Sequence, residues 1–350
     1  MLLANGLLRT PYAKTTYGML RGPSRYRIAA VVDADAAGRD AGEILDGKPR
    51  GIPIFASLND AVDELGGPPD VCVVGVATVG GVLPEAIRQD LHQAAGFGIT
   101  LVNGMHQLLA DDSALLAHCR NSGAEIIDLR KPKAIDRLSF WSGAVLALPS
   151  LRVAVLGIDC AVGKRTTSCL VREACDRVGI RAALVYTGQT GWLQGFDHGF
   201  VLDATPNDFV CGELEQALVA CQHDCDPEVV FIEGQSGLRN PSGPCGSELI
   251  LGGAVTGVIL QHVPGREFFK GFESRGLRVP TVDSEIALIE SLGAPVWALT
   301  INPEGLEADH AAQLTARLRQ RLSIPVVDPL VDGVTEVVQV IESKLRRENP

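Results

Sequence analysis

No run of apolar residues in this sequence approaches the roughly 20 that a membrane-crossing helix requires, so no membrane partner is expected. The opening Met1-Leu2-Leu3-Ala4-Asn5-Gly6-Leu7-Leu8 lacks a basic flank and is broken at Asn5 and Gly6, which disfavours a secretory signal. Positive charge is in deficit. The 31 Lys and Arg stand against 42 Asp and Glu, giving a formal net charge of −11, and this argues against a general nucleic-acid surface. Nine cysteines occur, none in a CxxC pair. The closest two, Cys221 and Cys225, have no histidine or second cysteine pair at zinc-site spacing. They read as reduced, mostly buried thiols of a cytoplasmic protein, and no metal site is expected. Internal repeats and low-complexity tracts are also absent.

What is present is apolar material in quantity. The chain has 350 residues, 46% hydrophobic and 21% charged, enough for two domains each with its own core. Residues 27–33, 71–77 and 99–103 are apolar or β-rich runs separated by helical patterns. Continuous rather than alternating runs point to strands covered on both faces, as in a parallel sheet. The expected fold class is α/β: a Rossmann-like domain over 1–148, then a second α/β domain over 149–350 with a mainly parallel sheet. The boundary is placed between Arg130-Lys131-Pro132-Lys133 and Pro149, where charge and proline interrupt the pattern. Further strands are expected at 151–156, 182–186, 229–232, 257–261, 295–301 and 325–327. Asp33 ends a strand where a dinucleotide fold carries its ribose-binding acid. No GxGxxG precedes it, so classical NAD binding is not expected.

The strand Val153-Ala154-Val155-Leu156 runs into Gly157-Ile158-Asp159-Cys160-Ala161-Val162-Gly163-Lys164, then Arg165, Thr166 and Thr167 and a helical stretch. In strand–loop–helix order, loop amides and the helix amino terminus point at one volume, where phosphate oxygens accept hydrogen bonds. Lys164 adds a mobile positive charge. The stretch is thus a P-loop, with two departures from GxxxxGK[ST]. The first glycine sits one residue early. Arg165 stands where a Ser or Thr ordinarily ligates magnesium, so either Thr166 or Thr167 substitutes or the ligand is held without the usual metal. The loop resembles that of the dethiobiotin-synthetase branch, which shares the early glycine.

A second piece, Val229-Val230-Phe231-Ile232-Glu233-Gly234-Gln235, is a buried strand ending in a carboxylate and then a glycine. Glu233 is expected to emerge beside the P-loop, where it can take a proton from a nucleophile or orient a metal-bound water. Asn302, after the strand at 295–301, lies where the same branch reads an adenine edge. Thr187-Gly188-Gln189-Thr190-Gly191, His262 and Arg266 also follow expected strands, and loops at the carboxyl ends of an open sheet share one crevice.

Ala13-Lys14-Thr15 with Gly18, Asn103-Gly104-Met105-His106, GxDCAVGKxTT at 157–167, TGQTG at 187–191 and IEGQ at 232–235 together resemble one family over essentially the whole chain. It is the two-domain P-loop family typified by D-glutamate N-acetyltransferase. The resemblance implies acetyl transfer from acetyl-CoA to the amino group of a D-amino acid. Acetyl-CoA suits the loop, since its pyrophosphate and 3′-phosphate need anion-binding amides but no γ-phosphate chemistry. The reaction calls for a base and oxyanion donors. Glu233 or His262 is the candidate base, with Gln189 or loop amides as donors. Lys14, Arg239 and Arg266 are candidate cations for substrate carboxylates. The alternatives are an ATP- and Mg²⁺-dependent ligase or kinase of dethiobiotin-synthetase type, and a nucleotide-sensing regulator. A homo-oligomer acting on a small molecule is expected.

Overall fold

The computed structural model describes residues 1–348. It divides into two compact units: residues 1–133 with 189–196, and residues 134–188 with 197 onward. Among the described residues no helix is long and apolar enough to cross a membrane.

The first unit carries a parallel sheet of six strands, β1 (Leu2–Leu3), β2 (Val31–Val32), β3 (Ile54–Phe55), β4 (Val71–Val74), β5 (Thr100–Asn103) and β6 (Ile126–Asp128). Their order is β3-β2-β1-β4-β5-β6, the arrangement of a doubly wound Rossmann-like fold. The opening residues are therefore core. Leu2 pairs with Val31 on one side and Val73 on the other, and Met1 to Ala4 are all buried. The buried carboxylate of Asp33 accepts from Leu8 N at 2.9 Å, so it closes the loop after β1.

The detached segment 189–196, with its short helix Gln189–Leu193, seats on the motifs of this unit. A Cβ added to Gly18 would lie 2.6 Å from Thr190 Cγ2, and one on Gly104 would lie 2.8 Å from Gln189 Cγ, so both glycines are needed for close approach. Gln194 Nε2 donates to Gly18 O at 2.8 Å, and Arg25 lies over the Trp192 ring at 4.5 Å.

The second unit has six parallel strands: β7 (Leu151–Gly157), β8 (Ala182–Val185), β9 (Val229–Glu233), β10 (Gly257–His262), β11 (Val296–Ile301) and β12 (Val326–Val327). Their order is β12-β11-β10-β7-β9-β8. β7 is buried along its whole length, and the chain leaves it to β8 and β9 on one side and to β10, β11 and β12 on the other. The carboxyl end of β7 is thus the topological switch point, where open α/β sheets hold their ligands. Residues 134–148, expected in the first domain, pack with this unit. The buried Glu213 and Glu215, on the helix Asn207–Cys225, hold them. Ser139 N donates to Glu213 at 2.9 Å, and Ser142 donates to Glu215 from both N and Oγ at 2.7 Å.

Candidate functional site

β7 ends at Gly157, and the helix Lys164–Arg177 begins at Lys164. Between them Gly163 takes a left-handed backbone, φ 109°, as does Ala161 at φ 51°. Left-handed geometry at a non-glycine costs about 1–2 kcal/mol, so the loop is held in shape by its surroundings. The amides of Lys164, Arg165 and Thr166 open the helix, where no intrahelical acceptor exists and the dipole favours an anion.

Lys164 is buried and folds back over the loop, its Nζ donating to Asp159 O at 2.8 Å and Ser236 O at 2.6 Å. Gly234 allows this approach: a Cβ there would lie 2.3 Å from Val155 O and 3.1 Å from Lys164 Cδ. Burial lowers the ammonium pKa to about 8, partly offset by the carboxylates of Asp159 and Glu233. An arriving phosphate favours the charged form and raises it again. Affinity for a phosphate-bearing ligand is therefore expected to fall as pH rises through about 8. Calorimetry near pH 8 in buffers of different ionisation enthalpy should reveal proton uptake on binding. In the ligand-free protein the unfolded chain binds more protons than the folded one between about 8 and the ordinary lysine value of 10.5, so this group makes stability rise with pH across that window.

Asp159, expected among the cofactor-binding residues, is fully buried with both oxygens engaged. Oδ1 accepts from Cys160 N and Asn240 Nδ2, each at 2.7 Å; Oδ2 accepts from Arg266 Nη1 and Lys270 N, each at 2.9 Å. It shapes the loop from behind. Arg266 also donates to Cys160 O at 2.7 Å and to Glu304 at 2.7 Å, so this candidate for a substrate carboxylate is part of the loop's scaffold. Asn302 belongs to the same scaffold: Nδ2 donates to Val162 O at 3.0 Å, and Oδ1 accepts from Glu304 N at 3.0 Å.

The structure brings Arg165 and Glu233 together as an ion pair. The buried carboxylate also accepts from Thr187 N at 3.3 Å and Gln235 Nε2 at 3.4 Å. Thr187 Oγ1 donates to Glu233 O at 2.7 Å and accepts from Gln235 Nε2 at 3.0 Å. The start of TGQTG, the IEGQ segment and the P-loop helix thus meet at one point. A magnesium ion here would need a hydroxyl from the residue after the lysine and a free acid nearby. Arg165 occupies the first place and neutralises the second. The Thr167 hydroxyl is buried and donates to Gln261 Oε1, which also accepts from Thr300 Oγ1 at 2.7 Å. Thr166 is half-buried. Arg165 and the engaged Thr167 hydroxyl do not fit a P-loop magnesium.

The remaining candidates lie elsewhere. Gln189 belongs to the first unit, where its Oε1 accepts from Arg130 Nη2 at 3.0 Å. Lys14 is exposed at the start of the helix Lys14–Arg21 in that unit. Arg239 pairs with the buried Glu285 at 3.0 Å and donates to Ser284 O. His262 follows Gln261 on β10, so alternation puts it on the face opposite the Gln261–Thr167 bond. Burial, with Arg321 adding to it, lowers its pKa to about 4, and its Nδ1 is buried with no partner among the described residues. Arg165 as the partner of Glu233 was not anticipated. The one available signal was the exchange of the usual hydroxyl residue for a cation beside a strand-end acid.

Comparison with known proteins agrees with this architecture. Residues 34–132 match the Rossmann-like domain, and residues 139–338 the P-loop domain, of a family described as a domain of unknown function, DUF1611. A crystal structure of a DUF1611 family protein from Anabaena variabilis superposes with a TM-score of 0.88 at 30% identity, covering 98% of each chain. Two curated relatives are each named D-glutamate N-acetyltransferase. The one from Tritonibacter scottomollicae is 29% identical over 276 residues, 77% of this chain and 80% of its own; that from Pseudoalteromonas sp is 25% identical over 273 residues, 76% and 79%. Two parallel-sheet α/β units and a P-loop at the switch point of the second agree with these matches, and the chain belongs to the DUF1611 family.

Proposed function

We propose that this protein transfers an acetyl group from acetyl-CoA to the amino group of a D-amino acid, D-glutamate first among them. The observation that carries the reading is the Arg165–Glu233 pair, which puts a cation, paired with the nearby acid, in the sequence place where a phosphate loop ordinarily has its magnesium-binding hydroxyl. A loop of that kind favours a ligand whose phosphates stay intact, as those of acetyl-CoA do through acetyl transfer. The names of the two curated relatives supply the acceptor. Loop amides and Lys164 would hold the phosphates, and a base would deprotonate the substrate ammonium before attack on the thioester carbonyl, with CoA thiolate leaving. Glu233 is the proposed base, acting once the substrate ammonium replaces one of the donors that hold it here; His262 is the second candidate.

The test has two arms. Thermal-shift measurements with acetyl-CoA, CoA, ATP with Mg²⁺, and NAD are expected to single out acetyl-CoA and CoA, a ligand at 100 times its dissociation constant adding about 2.7 kcal/mol of stability. EDTA should leave that shift unchanged. Release of free CoA is expected with D-glutamate and to be slower with L-glutamate, because a chiral site that orients the substrate cannot present the amines of both enantiomers to the thioester alike. Tight, strictly Mg²⁺-dependent ATP binding without CoA release from any amino acid would establish the ligase or kinase reading, which the P-loop itself also favours.

A further inference from the structure

We propose that His198, Cys221 and Cys225 form a binding site for a single Zn²⁺ ion. Their ligand atoms all lie within 4.8 Å of one another. The two cysteines are four residues apart in the last turns of the helix Asn207–Cys225, so they share one face a turn apart. His198 comes from more than twenty positions upstream, on the stretch that follows the segment 189–196. That separation is why spacing along the sequence shows no zinc motif.

The chemistry favours this metal. Two thiolates and an imidazole are a donor set for zinc, with Zn–S near 2.3 Å and Zn–N near 2.0–2.1 Å. Tetrahedral donors at those lengths sit about 3.5–4 Å apart, so the cluster must contract by about 1.3 Å at most. Rotation of the exposed Cys225 about χ1 provides much of that. The ion would lie at a helix carboxyl terminus, the end whose dipole favours a cation. Asp224 already accepts a hydrogen bond from His198 Nε2 at 3.0 Å, the carboxylate–histidine arrangement that orients zinc-binding imidazoles. Three protein ligands leave the fourth position to water.

The site is separate from the acetyl-transfer reading and does not depend on it, but backbone hydrogen bonds tie its histidine to the end of β8. His198 O accepts from Tyr186 N, and Phe200 N donates to Tyr186 O, each at 3.1 Å. The next residue, Thr187, donates to Glu233 from both its N and its Oγ1. Zinc on His198 would pin residues 198–200 against the end of β8 and so brace Thr187 in place.

The experiment uses the full chain, stripped of metal by a chelator under reducing conditions and titrated with Zn²⁺ against a chromophoric competitor. A parallel titration with Co²⁺ reads sulfur-to-cobalt charge transfer. One equivalent of zinc and a cobalt–thiolate band are expected. Cys225→Ser, Cys221→Ser and His198→Gln should each lower zinc affinity by more than the roughly 10- to 100-fold expected for Asp224→Asn, which removes only the partner of the imidazole. Cys225 is exposed, so its serine variant tests the site without disturbing the core. The proposal is overturned if the reduced protein gives no cobalt–thiolate band, if Cys225→Ser keeps wild-type zinc affinity, or if the two cysteines are found as a disulfide and the reduced protein takes up no zinc.

Discussion

Lys164→Ala is expected to weaken acetyl-CoA binding by about 30-fold to a few thousand-fold while the protein stays folded. Removing one partner of a buried, hydrogen-bonded charge pair costs roughly 2–5 kcal/mol of binding, and each 1.4 kcal/mol is tenfold. Folding should survive, because burial of this ammonium is unfavourable in the ligand-free protein, as its lowered pKa of about 8 shows. The variant loses two hydrogen bonds to carbonyls, of Asp159 and Ser236, each of which keeps a second lone pair for water. Lys164→Met separates charge from bulk. It keeps an aliphatic stem beside Gly157 and Gly234, both of which face that stem, and removes only the ammonium. Calorimetry on both variants should give similar losses. Unchanged affinity in both would mean that phosphates are held elsewhere and the loop reading is wrong.

The parts of the fold legible in the sequence were those whose signal is local. Long apolar runs such as those of β7, β9, β10 and β11 announce buried parallel strands, and each formed within a residue or two of its expected place. β1, β3 and β6 gave no such signal, being two or three residues long. Leu2 and Leu3 form the central strand of the first sheet only because β2 and β4 flank them, and that pairing is not local. The phosphate loop was legible because its geometry requires glycine and lysine at fixed offsets. The partners of the charged side chains were not. Arg266 and Arg239 look like free receptors in the sequence, yet Asp159 and Glu285, far along the chain, already hold them. Gln189, close in sequence to Thr187, packs with the first unit through Arg130 and Gly104. His198 likewise reaches Cys221 and Cys225 through a fold-level contact that no motif spacing encodes.

Glu233→Gln is expected to lower turnover of D-glutamate by roughly 10² to 10⁴, with little loss of acetyl-CoA affinity. Gln keeps the size and one acceptor oxygen for Thr187 N but cannot accept the substrate's proton. The same substitution also leaves Arg165 without its counter-charge. Breaking a buried pair costs about 3–5 kcal/mol of stability; the smaller end applies here, since the Arg165 side chain is 21% exposed and partly solvated. A loss of turnover could therefore follow from a displaced Arg165 rather than from a missing base. The double variant Arg165→Met/Glu233→Gln separates the two causes, because it removes both charges and with them the unpaired cation. Base catalysis by Glu233 requires the double variant to regain stability in denaturant unfolding and stay as slow as Glu233→Gln. Recovery of turnover in the double variant would show instead that Glu233 serves the reaction only by holding Arg165, and would pass the base role to His262. That residue already has the form a base needs at neutral pH: its burial keeps the imidazole unprotonated, with Nδ1 unpartnered among the described residues. It should then give a rate loss of similar size in His262→Gln, without a change in the stability of the Arg165–Glu233 pair.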